Sequence, residues 1–249
     1  MIQKDRIRPT EQVYSNYTQE DFEVWKLLFN RQASLIKSSA SSEYLKALDV
    51  IGFSDERIPD FKQIADVLKP LTGWNLVTVP NISEQKQFFV FLSQKQFTAT
   101  CWLRRMDELD YLEEPDMFHD VFGHAPLLSN KAYTDFFKAI SHIALKYIDN
   151  PKAIELLGRI YWFTIEFGLI RENEKLKIYG AGIISSFGET QNCFKESTKK
   201  FDFNVRQILD TDFRTDVLQD KYFVIDSFEQ LYRSIPEIQT ELEHRITKA

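Results

Sequence analysis

The chain has 249 residues, 43% of them hydrophobic, and this length is typical of one large globular domain. Its formal net charge of −6, with acids and bases interspersed, argues against a nucleic-acid partner, which normally requires a basic face. The cysteines, Cys101 and Cys193, lie far apart and indicate a reducing compartment rather than a disulfide framework. The charged N-terminus lacks the apolar stretch of a signal peptide, and no apolar run is long enough to span a bilayer. We therefore predict a soluble, cytoplasmic protein.

Helical spacing of apolar residues predicts a first helix after Thr18, because Thr18 and Asp21 have the spacing of a capping box. A second helix is predicted over residues 43–50, with Gly52 just beyond its end. A third is predicted from residue 60 to about residue 68, where Pro70 breaks the pattern.

The middle of the chain alternates between extended and helical patterns. Residues 74–79 are rich in β-branched side chains and predict an extended segment, as does the stretch 97–103. Between them, Ser83 is the predicted cap of a helix that carries Phe88.

From Pro115 onward the pattern is mostly helical. The stretch 151–171 begins with a proline, which a helix tolerates in its first turn. Residues 175–179 predict a strand that ends at the turn 180–182, and Pro236 interrupts the last helical stretch. Helices therefore predominate, and the short strands do not alternate with them as repeated βαβ units would. We predict a single, mainly α domain with a few short β strands, an α+β fold.

Two of the four histidines, His119 and His124, lie five positions apart. Five residues of an ideal α-helix turn through about 140°, so these rings would not align as a pair four apart does. A helix that loosens near Gly123, or a metal ion between the rings, would bring them together. The nearby Asp116 and Asp120 are candidates for fixing a histidine tautomer. Histidines at this spacing are more often surface or helix-end residues, so the pair alone leaves a metal site open.

Glu166 is the best candidate for a third ligand, because it lies in the apolar segment 160–169. An unpaired carboxylate is costly to bury there, although an exposed glutamate on an amphipathic helix explains the local pattern equally well. Trp162 shares its helix face, which would suit a pocket for an aromatic molecule. Two imidazoles and one carboxylate would occupy one face of an octahedral ion, which suits non-haem Fe(II), whereas zinc and hydrolysis remain open.

Three segments resemble the pterin-dependent aromatic amino acid hydroxylases, the family that acts on phenylalanine, tyrosine and tryptophan. They are EPDMFHDVFGHAPLL at 114–128, IYWFTIEFGL at 160–169 and YGAGIISSFGE at 179–189, in the family's order and at its approximate intervals. The resemblance implies that His119, His124 and Glu166 bind Fe(II) beside a reduced tetrahydropterin, either tetrahydrobiopterin or a relative. It also implies that iron and pterin together activate O2 to hydroxylate the aromatic ring of the bound amino acid.

The resemblance also implies roles for the residues around the iron. In the substrate site, Arg104 and Ser185 are expected to bind the carboxylate, and Pro115 and Trp162 are expected to flank the ring. Gly182 is expected to line the same pocket with its backbone, and Glu189 is expected to lie just behind the residues that contact the substrate. Those expected near the pterin are Phe88, which would stack on it, Tyr161 and Asp120. The family commonly has glutamate where this chain has Asp120. The aspartate side chain is one methylene shorter, so it reaches less far toward the water that would connect it to the pterin.

Trp162 favours phenylalanine or tyrosine as the substrate, because tryptophan hydroxylases usually have phenylalanine at this place. The segment RRMDELDYL at 104–112 resembles the bacterial phenylalanine hydroxylases, so we predict oxidation of L-phenylalanine to L-tyrosine, as in phenylalanine catabolism. The chain has no room for the N-terminal regulatory domain of the animal enzymes and no C-terminal heptad helix for tetramerisation, so residues 1–249 are expected to form one catalytic domain and a monomer. Hydroxylation of tryptophan or tyrosine, a zinc hydrolase and a catalytically silent amino acid sensor remain as alternatives.

Overall fold

The structure, a computed structural model, describes residues 6–110, 112 and 114–247. The charged residues 1–5 and Tyr111 of the segment 104–112 lie outside this part of the chain. The α-helices are α1 (Gln19–Ser39), α2 (Ser42–Ile51), α3 (Phe61–Leu71), α4 (Gln85–Ser93), α5 (Lys131–Lys146), α6 (Pro151–Tyr161), α7 (Ala181–Ile184), α8 (Phe187–Asn192), α9 (Val205–Leu209), α10 (Phe228–Arg233) and α11 (Ile235–Thr247). The strands are β1 (Asn75–Thr78), β2 (Gln96–Ala99), β3 (Leu169–Glu172), β4 (Lys175–Ile178), β5 (Lys199–Asp202) and β6 (Lys221–Ile225).

The described residues also form five shorter helical segments. Two are π-helices, named π1 (Phe118–His124) and π2 (Trp162–Glu166). Three are 3₁₀ turns, at Tyr14–Asn16, Met106–Glu108 and Pro126–Ser129. Among the described residues, no helix is both long enough and apolar enough to cross a membrane.

The predicted caps of the first helices are confirmed. Thr18 caps α1 through reciprocal bonds with Asp21, at 2.7 Å and 3.3 Å, which satisfy N–H groups that the helix itself leaves unpaired. Gly52 ends α2 with a left-handed φ of 75°. The break predicted at Pro70 is wrong, because α3 continues to Leu71 and holds the proline in its last turn, where the missing N–H removes only one helical bond.

The strands form two small sheets. In the first, β1 and β2 are parallel, and α4 connects them. In the second, the order is β4-β3-β6-β5, with an antiparallel β3–β4 pair and parallel pairs on either side of β6. The helix between β1 and β2 was predicted, but its role as the connection between two parallel strands was not. The same arrangement recurs at β5 and β6, which are parallel and are connected through α9, so the expectation that helices and strands would not alternate is wrong for these two pairs. The stretch predicted as extended over 97–103 is a strand only to Ala99, and Glu84 rather than Ser83 caps α4.

The stretch predicted to be helical over 151–171 contains three structures in succession. Helix α6 begins at Pro151 behind the cap Asn150 and continues as π2, but β3 follows from Leu169. The predicted helix end was therefore wrong, because pairing with β4 and β6 outweighs the helical pattern of the apolar residues. The predicted turn 180–182 is the start of α7. Pro236 does not interrupt the last helix, since it occupies the first turn of α11.

The hydrophobic core surrounds π1. The rings of Phe118 and Phe122 stack with centroids 4.8 Å apart, and the ring of Trp25 packs edge-on against Phe118 at 5.6 Å. The hydroxyl of Tyr44 donates to the carbonyl of Phe122 at 2.5 Å. These buried contacts fix π1 between α1, α2 and the chain that follows β4. Cys101 and Cys193 are buried and free, as a reducing compartment would allow.

Candidate metal centre

The wide turn of π1 explains how histidines five positions apart come together. Its i→i+5 hydrogen bonds place residues five apart above one another, whereas an α-helix aligns residues three or four apart. The Nε2 atoms of His119 and His124 therefore lie 3.3 Å apart, with the rings nearly perpendicular. The predicted loosening of the helix is confirmed, and it extends over the whole of π1. Gly123 permits α7 to pack closely, because a Cβ at this position would lie 3.0 Å from the carbonyl oxygen of Ala181.

Glu166 reaches the two imidazoles from the second wide turn, π2. The N–H of Phe167 donates to the carbonyl of Trp162, five residues earlier, at 2.9 Å. The Oε1 atom of Glu166 lies 3.1 Å from Nε2 of His124, and its Oε2 atom lies 3.6 Å from Nε2 of His119. The carboxylate side chain is only 12% exposed, so the exposed-glutamate alternative is wrong. The three side chains offer ligand atoms that all lie within 4.8 Å of one another.

The protonation states of this cluster suit a cation. Burial lowers the pKa of His119 to about 4, although the charge of Glu166 acts in the opposite direction. Burial by itself would raise the pKa of Glu166, but His124, His119 and the hydroxyl of Tyr161 outweigh it and hold the pKa near 2. At neutral pH the cluster therefore combines a neutral imidazole of His119 with an anionic carboxylate, and metal ligands must be deprotonated in this way.

Ser185 fixes the tautomer of His119. Its hydroxyl donates to the carbonyl of Ala181 at 2.8 Å, so the same oxygen must accept from Nδ1 of His119, also at 2.8 Å. The proton of the neutral ring then resides on Nδ1, and the lone pair of Nε2 points toward Glu166. On the other imidazole, Nδ1 of His124 is buried and has no hydrogen-bond partner among the described residues.

Asp116 binds an arginine rather than an imidazole. Its two carboxylate oxygens accept from Nε and Nη2 of Arg104, both at 2.9 Å, and from the backbone N–H of Arg104 at 2.9 Å. Asp116 also accepts from the backbone N–H of His119 at 3.2 Å, so the tautomer role considered for it is wrong. Burial by itself would raise the pKa of Asp116, but Arg104 outweighs it and lowers the pKa. The pair holds Arg104, the predicted carboxylate-binding residue, in one orientation beside π1.

Asp120 points away from the two imidazoles toward the end of β2. Its Oδ2 atom accepts from the backbone N–H and the hydroxyl of Thr100, at 2.7 Å and 2.9 Å. The tautomer role considered for Asp120 is therefore wrong as well. Burial raises the pKa of Asp120 to about 7, against the opposing effect of the hydrogen bonds from Thr100.

Aromatic side chains surround the cluster on the side of π2. The indole of Trp162 stacks on Phe213 at 4.5 Å and packs against Phe167 at 4.5 Å. The ring of Phe88 lies 5.8 Å from that of Tyr161, nearly perpendicular to it. Tyr161 in turn lies close enough to Glu166 for its hydroxyl to lower the pKa of the carboxylate. Tyr161 thus contacts the ligand candidate Glu166 directly, Phe88 packs on Tyr161, and Trp162 belongs to the same π2 turn as Glu166. Pro115 immediately precedes the buried Asp116.

Two further predicted residues, Glu189 and Gly182, contact parts of the chain around the ligand candidates rather than the ligand candidates' side chains. Glu189 accepts from the backbone N–H of Gln219 at 2.7 Å and from the hydroxyl of Tyr222 at 2.6 Å. Burial raises its pKa. A Cβ on Gly182 would lie 2.9 Å from the ring of Phe167 and 3.1 Å from the carbonyl oxygen of Glu166, so only glycine allows this close packing against the end of π2.

The sequence interpretation did not identify several residues that hold the predicted ones in place. They are Thr100 at Asp120, Phe213 and Gln219 at Trp162, and Tyr222 at Glu189. No local signal marks them, because each lies far along the chain from its partner.

Comparison with known proteins identifies relatives over most of the chain. The model of the biopterin-dependent aromatic amino acid hydroxylase family matches residues 8–248. Phenylalanine-4-hydroxylase of Ralstonia nicotianae is 43% identical over 223 residues, which cover 89% of this chain and 71% of that protein. A crystal structure of Chromobacterium violaceum phenylalanine hydroxylase has a TM-score of 0.91 at 38% identity, and the match covers 96% of this chain and 86% of that one. That of the cold-active Colwellia psychrerythraea enzyme has a TM-score of 0.86 at 34% identity, with 92% and 90% covered.

The chain therefore belongs to the biopterin-dependent aromatic amino acid hydroxylases, and it has the fold of their catalytic domain. The predicted family and the predicted fold class are both confirmed.

Proposed function

We propose that the protein hydroxylates L-phenylalanine to L-tyrosine with O2, using an Fe(II) ion and a tetrahydropterin. The observation that carries this proposal is the convergence of His119, His124 and Glu166, with His119 a neutral donor and Glu166 an anionic one. The similar proteins are phenylalanine hydroxylases, and the Chromobacterium violaceum enzyme was crystallised with Fe(III) and with 7,8-dihydrobiopterin. Membership of the same family supports the same cofactors here.

The donor set favours iron over zinc. Two imidazoles and one carboxylate on one face of an ion leave the opposite positions open, as non-haem iron oxygenases require, whereas zinc prefers a closed or singly open tetrahedron. Bound iron and reduced pterin would supply the activation of O2. The protein would hold the ring in register with them and keep water out, which the buried and aromatic surroundings of the site support.

Arg104 is the proposed partner of the substrate carboxylate. Asp116 takes its Nε–H and one N–H of Nη2, so the guanidinium is fixed while other N–H groups of its fork remain for a ligand. Trp162 and Pro115 are proposed as walls around the substrate ring, beside the closely packed Gly182. Ser185, proposed as a second carboxylate contact, already accepts from His119, so its first task is to orient that ligand.

Phe88, Tyr161 and Asp120 are the proposed pterin-binding residues. Phe88 and Tyr161 form an aromatic corner, and a flat heterocycle stacks favourably on such a ring. Both hydrogen bonds from Thr100 go to Oδ2 of Asp120, which leaves Oδ1 as the acceptor for a water-mediated contact with the pterin.

The test is aerobic incubation of Fe(II)-loaded protein with phenylalanine and a tetrahydropterin. Tyrosine should form only when iron, pterin and O2 are all present. Tryptophan and tyrosine, assayed in parallel, should be poorer substrates. Hydrolytic activity of the Zn²⁺-loaded protein, without any pterin-dependent product from the iron form, would support the zinc hydrolase instead. Phenylalanine binding without turnover at full iron loading would support the silent sensor.

We also propose that the protein works as a cytoplasmic monomer built on one catalytic domain. The described residues share one hydrophobic core, and both cysteines are buried and free, which supports a reducing compartment. Sedimentation equilibrium of the full chain should give the mass of a single chain, 29.4 kDa. A concentration-dependent increase in mass would contradict the monomer.

A further inference from the structure

The indole of Trp162 is held at its N–H edge as well as at its ring. Nε1 of Trp162 donates to Oε1 of Gln219 at 3.0 Å, while the ring stacks on Phe213 with an interplanar angle of 15°. Both partners belong to the segment 213–219, which leads from α9 into β6. One stretch of chain therefore contacts Trp162 in two independent ways.

The amide of Gln219 has only one orientation that satisfies its surroundings. Its Nε2 donates to the carbonyl oxygens of Arg214 and Val217, at 2.8 Å and 3.0 Å, and a carbonyl can only accept. The acceptor Oε1 must then face the indole N–H of Trp162. Gln219 is 6% exposed, so a wrong orientation would leave buried polar atoms without partners.

The backbone of Gln219 is fixed as firmly as its side chain. Its N–H donates to Oε1 of Glu189 at 2.7 Å, and its carbonyl accepts from Nδ2 of Asn192 at 2.8 Å. Tyr222 donates to the other oxygen of Glu189 at 2.6 Å, so both carboxylate oxygens are occupied. This buried network connects Glu189 to Trp162 through Gln219.

We infer that Gln219 is a positioning residue that sets the plane of the Trp162 indole and thereby determines which aromatic side chain the substrate site accepts. The inference rests on the proposed function and adds a specificity determinant to it. Without the hydrogen bond, the indole can rotate about its side-chain bonds toward the ring position of the substrate. A displaced Trp162 indole changes the fit of the phenyl ring of phenylalanine and the fit of the larger indole of tryptophan by different amounts.

The test compares Gln219→Met with the wild type, because methionine keeps the length of the side chain and removes its strong acceptor. We expect KM for phenylalanine to rise about 3-fold to 10-fold, and the ratio of kcat/KM for phenylalanine to that for tryptophan to fall by a similar factor. Iron content after loading should be unchanged, since Gln219 contacts none of the ligand candidates. In a Trp162→Phe background, which has no indole N–H, the same substitution should change the ratio by less than about 2-fold.

A readout independent of turnover separates this inference from the proposed function. The fluorescence of Trp162, obtained in each background by subtracting the spectrum of the matching Trp162→Phe variant, should shift to shorter wavelength in Gln219→Met, because the indole N–H loses its polar acceptor. Gln191→Met replaces an exposed glutamine on α8 and should change neither the fluorescence nor the ratio. If Gln219→Met does not fold, Phe213→Leu removes the stacked ring instead and should lower the same ratio.

Failure of the wild type to make tyrosine would overturn the proposed function, and the fluorescence shift would still test the hydrogen bond. Normal wild-type turnover together with an unchanged substrate ratio and unchanged fluorescence in Gln219→Met would overturn the role of Gln219. Equal effects of the substitution in the Trp162 and Trp162→Phe backgrounds would overturn it too, because Gln219 would then not act through the indole.

Discussion

The Nδ1 atom of His119 and the hydroxyl oxygen of Ser185 lie 2.8 Å apart, and the serine has already given its hydrogen to the carbonyl of Ala181. Because this contact selects the tautomer that presents Nε2 to the metal, Ser185→Ala should weaken Fe(II) binding by about 10-fold to 100-fold. Titration with Fe(II) under anaerobic conditions measures the loss. Ser141→Ala removes another buried serine hydroxyl, which bonds within α5, and should leave the affinity unchanged. Equal affinities of wild type and Ser185→Ala would contradict the tautomer argument.

Glu166 contributes the negative charge of the candidate ligand set. Glu166→Ala should lower Fe(II) affinity by more than the roughly 100-fold upper range for residues that only support a ligand, and it should abolish turnover. Iron content after dialysis and tyrosine formation measure both effects. Glu155→Ala removes an exposed glutamate from α6 and is the matched control. Iron binding retained in Glu166→Ala would remove this residue from the centre.

Asp116 is completely buried and compensates the charge of Arg104. Asp116→Ala leaves a buried guanidinium without its partner, so the free energy of unfolding should fall by about 3–5 kcal/mol. Asp66→Ala breaks the exposed pair with Lys62 and should cost less than about 0.5 kcal/mol. Urea unfolding of both variants measures the difference. Similar losses in the two variants would show that Arg104 finds another partner.

Burial raises the pKa of Glu189 above its ordinary value, so folding takes up a proton at this site. The stability that this carboxyl contributes is complete below the ordinary glutamate pKa of about 4.3, and it is lost as the pH rises through the higher pKa of the folded state. Glu189→Gln keeps the size of the side chain and does not titrate. The unfolding free energy of the wild type should therefore fall relative to Glu189→Gln as the pH increases from about 4. Denaturant unfolding at several pH values, with the exposed Glu196→Gln as control, measures this trend, and a constant difference would contradict it.

Two glycines give opposite expectations for the same substitution. A Cβ on Gly180 would lie 2.4 Å from the carbonyl oxygen of Glu166, so Gly180→Ala must displace the end of π2 and should lower both stability and Fe(II) affinity. Nothing lies within 4 Å of a Cβ on Gly158 in α6, so Gly158→Ala should raise stability by about 0.4–1 kcal/mol. Thermal unfolding and Fe(II) titration distinguish the two. A neutral Gly180→Ala would mean that the backbone of Glu166 yields at little cost.

Local signals predicted the start of α1 and the end of α2, but not several later helix ends or the full extent of the π turns. Thr18 and Gly52 act on backbone groups within a few residues of themselves, so their sequence positions suffice to predict an end. The spacing of His119 and His124 is equally visible in the sequence, yet the wide turn depends on packing around Phe118 and Phe122, which involves helices distant in the chain. The strand at Leu169 was missed for the same reason, because its apolar pattern fits a helix until β4 and β6 pair with it.

The residues of the site could be predicted from the sequence, but the contacts that orient them could not. Family resemblance identified the residues that converge, whereas the spacing of the residues left their convergence open. The contacts that orient them lie beyond any pattern, since Gln219 meets Trp162 and Thr100 meets Asp120 only after the chain has folded. The positions of Arg104 and Asp116 show the same limit, because each charge is explained only by the other.

The wide turn of π1 also links the backbone to whatever ion the site holds. His119 and His124 face one another only while the i→i+5 bonds persist, and a return to α-helical bonding would rotate the rings apart. An ion held by both rings therefore stabilises the π1 backbone by the same free energy by which that backbone favours the ion. The backbone amide hydrogens of residues 118–124 should therefore exchange with solvent more slowly as a larger fraction of the protein binds an ion at this site.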